Sequence, residues 1–210
     1  KGMSIGNKEL RFTLRLPAPL MPNHEELAQK CREALKDVKG LETIEIKKDW
    51  EVQRLPALNQ PNTPQALKNV KNIIAIASGK GGVGKSTVTV CIAEAFANAG
   101  AKVGVLDIDV YGPSIPIMVG LGSHQLGGAQ EGVLEPVEAH GMKVMSMGFL
   151  ATKDTPVVWR GPIASQLVQQ FLGAVDWGDL DYLFVDMPPG TGDIQLTLSQ
   201  SVPLTGAVIV

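Results

Sequence analysis

The chain has 210 residues, 44% of them hydrophobic and 19% charged, which is ordinary for a globular protein with a real core and fits one medium domain plus a small appendage. The net charge of −2 gives no electrostatic reason to expect non-specific nucleic-acid binding, and no apolar run is long enough to span a bilayer. Lys1-Gly2-Met3 shows no signal-peptide pattern, so the expectation is a chain that begins inside a longer product or carries a tag remnant.

Residues 9–16 alternate, with Leu10, Phe12, Leu14 and Leu16 on one face and Arg11, Thr13 and Arg15 on the other, as in a half-buried strand. Asn23 is placed to cap a helix, with Glu26 three residues on. Leu27, Ala28, Cys31, Ala34, Leu35 and Val38 recur at helical spacing, and Gly40 is expected to close that helix. Residues 43–47 read as a second strand. Residues 1–50 thus form a small β-α-β unit, and 51–70, with Pro56, Pro61 and Pro64, read as a linker.

From residue 71 the pattern changes. Ile73–Ala77 is an unbroken apolar run that ends in a glycine-rich loop, followed by a helix from Val88 to Ala99 that stops at Gly100. Lys102–Asp109 and Tyr182–Asp186 are further buried strands, each ending in acids, and Gly206–Val210 begins a fourth. Pro162 opens a helix carrying Ile163, Leu167, Val168, Phe171 and Leu172 on one face. Val133–Val137 and Lys143–Met147 read as a β excursion. Apolar strands alternating with helices predict an α/β fold with a mostly parallel sheet covered on both faces. Ligands of such sheets bind at the C-terminal ends of the strands, so the loops after residues 78, 106 and 185 should meet at one site.

Gly79-Lys80-Gly81-Gly82-Val83-Gly84-Lys85-Ser86 matches the phosphate-binding G-x-x-x-x-G-K-[ST], between a strand and a helix as the motif requires. Its glycines let backbone N–H groups turn toward phosphate oxygens, and the helix N-terminus adds positive potential. Lys85 is expected on the β- and γ-phosphates of ATP, Ser86 on Mg²⁺, and Thr87 near the α-phosphate. Asp107 and Asp109 follow the second strand. Asp109 is the candidate for orienting the attacking water and Asp107 for supporting Mg²⁺ or its waters, an assignment open to exchange. Asp186 fits the carboxylate that holds Mg²⁺ after the third strand, and Gly190 permits close backbone approach to the γ-phosphate. Asp193 reads as the cap of the next helix.

Cys31 and Cys91 lie far apart, form no C-x-x-C, and fit a reducing, cytoplasmic setting. Both sit on apolar helix faces and read as packing residues. His24, His124 and His140 have no metal-ligand spacing and read as solvated loop residues.

Lys80 makes the loop K-G-G-x-G-K-[ST], which resembles the variant P-loop of the MinD, ParA and nitrogenase iron-protein class. In that class this lysine acts across a dimer interface, which makes Lys80 a catalytic candidate beside Lys85 and Asp109. SGKGGVGKST, LDIDVYGPSIP, VWRGPIAS and DYLFVDMPPGTGDIQLTLSQ together resemble the Mrp/ApbC family of P-loop ATPases, from about residue 70 onward. The resemblance implies a homodimeric Mg-ATP-dependent ATPase that carries [4Fe–4S] clusters to apo iron–sulfur client proteins. Neither a membrane nor a nucleic-acid partner is implied. It also implies cluster ligands in a C-x-x-C pair that this chain lacks, so no Fe–S ligand is assigned here. Arg160, in Trp159-Arg160-Gly161-Pro162, is a candidate interface or switch residue beside a plain structural role. The rival readings are a MinD/ParA-like positioning ATPase and a nucleotide-responsive scaffold without turnover.

Overall fold

Strands buried on both faces need unbroken apolar runs, and that requirement shapes most of the chain. The computed structural model describes residues 3–6, 8–58, 63–110, 112–122, 133–150 and 161–210. It divides into two compact units, residues 1–53 and 54–210.

In the first unit, Met3–Gly6 (β1) pairs antiparallel with Glu9–Leu16 (β2), and β2 pairs in parallel with Thr43–Trp50 (β3). The helix His24–Leu35 (α1) connects β2 to β3. Leu10, Leu16 and Ala28 are buried. The short strand β1 was not foreseen, because four residues carry too little alternation to be read. Gly40 does not close α1. The helix stops at Leu35, and Gly40 lies in the following turn at φ 86°. Val38 is exposed, so no apolar contact holds a further helical turn. Asn23 takes the cap position but makes no side-chain cap bond, and Glu26 pairs with Lys30 at 2.6 Å. Cys31 is half-buried on the packed face of α1.

The second unit runs through Val70–Ala77 (β4), Lys85–Asn98 (α2), Val103–Asp107 (β5), Ile115–Met118 (α3) and Val137–Ala139 (β6). It continues through Met142–Ser146 (β7), Gly161–Ala174 (α4), Leu180–Asp186 (β8), Asp193–Ser201 (α5) and Gly206–Ile209 (β9). The sheet order is β6-β7-β5-β8-β4-β9, with only β6 antiparallel among the described strands. This is the α/β fold expected. All five residues of β5 are buried. Since neighbours on a strand point to opposite faces, both faces of the sheet are covered there. Phe96 of α2 meets Tyr182 and Phe184 of β8 edge-on, at centroid distances of 4.7 and 5.6 Å. The residues read as a β excursion are more central than that. β7 is an inner parallel strand beside β5, and Leu134 makes only an isolated bridge to Val175.

Close packing between β5 and β8 depends on Gly104. A Cβ there would sit 2.6 Å from Leu180 Cδ1 and 3.0 Å from both Leu183 Cδ1 and Trp177 Cε3. Trp177 and Leu183 are fully buried, so the crowding has little room to relax. Gly104→Ala should therefore lower the unfolding free energy by about 1–3 kcal/mol, seen as an earlier urea midpoint. An unchanged midpoint would show that this contact has slack.

Candidate nucleotide site

The register of the sheet brings four strand ends together. Ile76 lies opposite Asp186, Asp186 opposite Asp107, and Asp107 opposite Ser146. The chain leaves β4 into the glycine-rich loop, where Gly82 and Gly84 hold φ 74° and 93°. Gly84 is the cap of α2, and a side chain in that left-handed conformation would be strained. The loop borders a cavity of about 640 Å³. Gly81, Gly82, Gly84, Lys85, Ser86 and Thr87 line one side, so the first turn of a 14-residue helix opens onto it. Unpaired N–H groups and a positive helix end favour an anion there. Asp109, Gly112, Ser114, Met118 and Pro189 also line the cavity.

The charges meet beneath the loop. Lys85 Nζ lies 2.8 Å from Asp186 Oδ2 and 3.6 Å from Asp109 Oδ2. Ser86 Oγ donates to Asp186 Oδ2 at 2.5 Å. Thr89 Oγ1 lies 2.7 Å from Asp186 Oδ1 and 3.0 Å from the Lys85 carbonyl. Asp186 is fully buried, and Lys85 nearly so. A cavity-lining serine hydroxyl backed by a buried carboxylate is a hard-oxygen donor set that suits Mg²⁺. The residues present therefore fit that ion.

The two acids after β5 differ sharply. Asp109 lines the cavity, and its Oδ1 accepts the Gly112 N–H at 3.3 Å. Asp107 is the last residue of β5 and is fully buried. Its Oδ1 accepts the Asp109 N–H at 3.0 Å and its Oδ2 the Ser146 hydroxyl at 2.9 Å. Strand β5 is shorter than expected, ending at Asp107, and this sets Asp109 in the loop.

Gly190 N–H, expected to approach phosphate, is donated to the Ser78 carbonyl at 2.8 Å. Gln195 staples the same loop. Its Nε2 donates to the carbonyls of Pro188 and Gly190 at 2.8 and 3.0 Å, and its Oε1 accepts the Gly192 N–H at 2.8 Å. Gly192 is the cap of α5, and Asp193 is the first helical residue rather than the cap, because Gln195 satisfies the cap amide. Lys80 is exposed on the P-loop. Val83 is half-buried, and Gly79 lies between the cavity-lining residues Ser78 and Gly81.

Cys91 corrects the sequence reading. It is exposed, not packed. The buried face of α2 carries Lys85, Thr89, Val90 and Ala93, whereas Thr87, Cys91, Ala95 and Asn98 form its exposed stripe at spacings of one turn. Trp159, Arg160 and His124 lie outside the described residues. Among the described residues no three His, Cys, Asp or Glu side chains gather into a metal-holding group, and no helix is long and apolar enough to cross a membrane. Sequence reasoning did not find Thr89, Ser114, Met118, Ser146 or Gln195. Thr89 had a signal, one helical turn beyond Lys85, and so did Gln195, three residues after the cap Gly192 where a capping box places Glu or Gln.

Comparison with known proteins points the same way. A family model described as ParA, NUBPL iron-transfer P-loop NTPase, matches residues 69–210. An iron–sulfur cluster carrier protein from Synechocystis sp. is 51% identical over all of this chain and 60% of its own length. One from Escherichia coli K12 is 48% identical over 96% of this chain and 54% of its own. The chain thus spans little more than half the length of these curated relatives. A solved nucleotide-binding protein from Archaeoglobus fulgidus, in complex with ADP, is 45% identical with a TM-score of 0.60, covering 70% of this chain and 56% of its own.

Burial pushes the Asp107 carboxyl up to about 7, and the charges of Asp186 and Asp109 add to it, against the bonds from Asp109 N–H and Ser146. The folded chain therefore keeps this proton to higher pH than the unfolded chain. Stability falls as pH rises from the ordinary 3.8 to about 7, and the loss is complete above that range. Its steepest slope is about 1.4 kcal/mol per pH unit. Asp107→Asn removes the charge and keeps a donor and an acceptor. Its melting temperature should exceed that of the wild type at pH 8, with the gap closing toward pH 5. A gap that stays constant would contradict ionisation of Asp107.

Proposed function

The chain belongs to the ParA family, described as NUBPL iron-transfer P-loop NTPases, and from that membership we propose that it is the nucleotide-hydrolysing part of an iron–sulfur cluster carrier. The observation that carries the reading is the Lys85–Ser86–Asp186 cluster, in which Lys85 and Ser86 line the P-loop cavity and Asp186 lies buried behind them. In this reading the nucleotide is ATP, a choice supported by the ADP complex of the Archaeoglobus fulgidus relative. The cargo is a [4Fe–4S] cluster passed to apo iron–sulfur client proteins, supported by the names of the curated relatives.

Each residue then has a task. Backbone N–H groups of residues 81–86 and the start of α2 hold the phosphates. Lys85 turns from Asp186 toward the β- and γ-phosphates. Ser86 and Asp186 would hold Mg²⁺, which would supply positive charge to offset that of the phosphates. Asp109 faces the cavity and orients water, while Asp107 stays buried and holds the loop rather than the ion. Gly190 exchanges its bond to Ser78 for one to the terminal phosphate, which couples the loop to hydrolysis. Lys80 is exposed and free to reach a second copy of the chain, so turnover belongs to a homodimer. Two free cysteines suit a reducing cytoplasmic compartment.

Phosphate release under Mg-ATP, alongside ADP titration, tests this directly. Lys85→Ala should weaken nucleotide binding by about tenfold or more, a loss of about 1.4 kcal/mol. Lys80→Ala should bind ADP as the wild type does and lose most turnover. Unchanged ADP affinity in Lys85→Ala would remove the P-loop assignment. Full turnover in Lys80→Ala would remove the role across the dimer.

A further inference from the structure

We infer that Ser146 is a positioning residue of the nucleotide site: from the end of β7 its hydroxyl fixes Asp107, and through Asp107 it sets the loop that presents Asp109 to Lys85. No motif marks Ser146. It lies beside the apolar residues Val144, Met145 and Met147, where an alanine would fill nearly the same space.

Its surroundings argue for more than filling. Ser146 is fully buried, and a buried hydroxyl is costly unless bonded. It is bonded twice. It accepts the Gly148 N–H at 2.9 Å and donates to Asp107 Oδ2 at 2.9 Å. The first bond occupies the oxygen from one side, so the hydroxyl hydrogen is directed at the carboxylate. The other oxygen of Asp107 accepts the Asp109 N–H at 3.0 Å. The carboxylate of Asp109 in turn lies 3.6 Å from Lys85 Nζ. Two hydrogen bonds and one ion pair therefore connect β7, through the end of β5, to the P-loop lysine.

A second contact joins the same two segments. A Cβ on Gly148 would sit 3.1 Å from Pro113 Cβ, 3.2 Å from Pro113 Cγ and 3.2 Å from Ser146 Oγ. The turn after β7 thus lies against the far end of the loop that starts at Asp109. Ser146 anchors the near end, and the Gly148–Pro113 approach confines the far end. A loop held at both ends keeps Asp109 over the cavity, which is the pre-organisation that a water-orienting acid needs.

The effect on turnover rests on the ATPase reading above, whereas the positioning does not. The test is Ser146→Ala in the whole protein, read by amide hydrogen exchange and by steady-state kinetics. Exchange over residues 107–112 should rise by about tenfold or more, while exchange over the P-loop, residues 79–87, stays at the wild-type rate. kcat for ATP should fall by about tenfold or more with KM and ADP affinity within about twofold of wild type, the pattern of a lost transition-state contact. In an Asp107→Ala background the serine substitution should add nothing to either readout, because its partner is already gone. Unchanged exchange over 107–112 would overturn the inference. Faster exchange across both segments would also overturn it, since Ser146 would then serve only general stability. If the wild type shows no ATP turnover but the exchange result holds, the positioning role stands and the ATPase reading falls.

Discussion

The nucleotide site is organised around one nearly buried ammonium group. Lys85 Nζ sits 2.8 Å from a carboxylate that no water reaches. A charge in such a place costs several kcal/mol unless it is paired and its partner is otherwise bonded. Asp186 meets both conditions, with Lys85 and Ser86 on one oxygen and Thr89 on the other. This knot ties the start of α2 to the end of β8, and through the sheet to β4 and β5. The same pairing makes the site responsive. The lysine and serine that satisfy Asp186 are the groups a phosphate and a hard cation would compete for, so ligand entry is exchange of partners rather than capture by a bare charge.

The parallel sheet supplies the geometry for that exchange. Because Ile76, Asp186, Asp107 and Ser146 stand in one register row, the chain emerges from four neighbouring strands at the same height. The acids divide by depth. Asp186 and Asp107 end their strands inside the sheet, and Asp109, two residues later, reaches the cavity. Burial makes Asp107 poorly suited to carry charge here, and the bonds it accepts from a backbone amide and a serine only partly offset that. On the other side of the cavity, Gly190 is bonded to Ser78 and held by Gln195. Two loops thus flank the P-loop, one fastened by Ser146 from outside the recognised motifs and the other by Gln195 from within its own.

Much of this was legible in the residues. The P-loop, the strand-end acids and the α/β class follow from unbroken apolar runs that end in glycine or aspartate, because a strand buried on both faces cannot be written another way. The missed features lack such a signature. Strand β7 looked like an excursion because Lys143 interrupts its apolar run. In the fold that lysine donates to the Trp177 carbonyl at 2.9 Å, so its charged end leaves the core. Cys91 looked buried because Val88, Val90, Ile92 and Ala95 surround it in sequence, yet the 3.6-residue period turns it outward with Thr87 and Ala95. Ser146 matters through a long-range hydrogen bond to Asp107, which no local pattern encodes, whereas Gln195 bonds only to Pro188, Gly190 and Gly192 in the loop just before it.

The most direct measurement of the central claim, that Lys85, Ser86 and Asp186 form one Mg-nucleotide centre, is calorimetric titration of ADP with and without Mg²⁺. It is performed on the wild type and on Asp186→Asn. The account predicts that Mg²⁺ tightens ADP binding to the wild type by about tenfold or more, near 1.4 kcal/mol, and that Asp186→Asn loses this gain while still binding ADP. A gain of the same size in both proteins would contradict it, because the cation would then be held without the carboxylate on which the site is built.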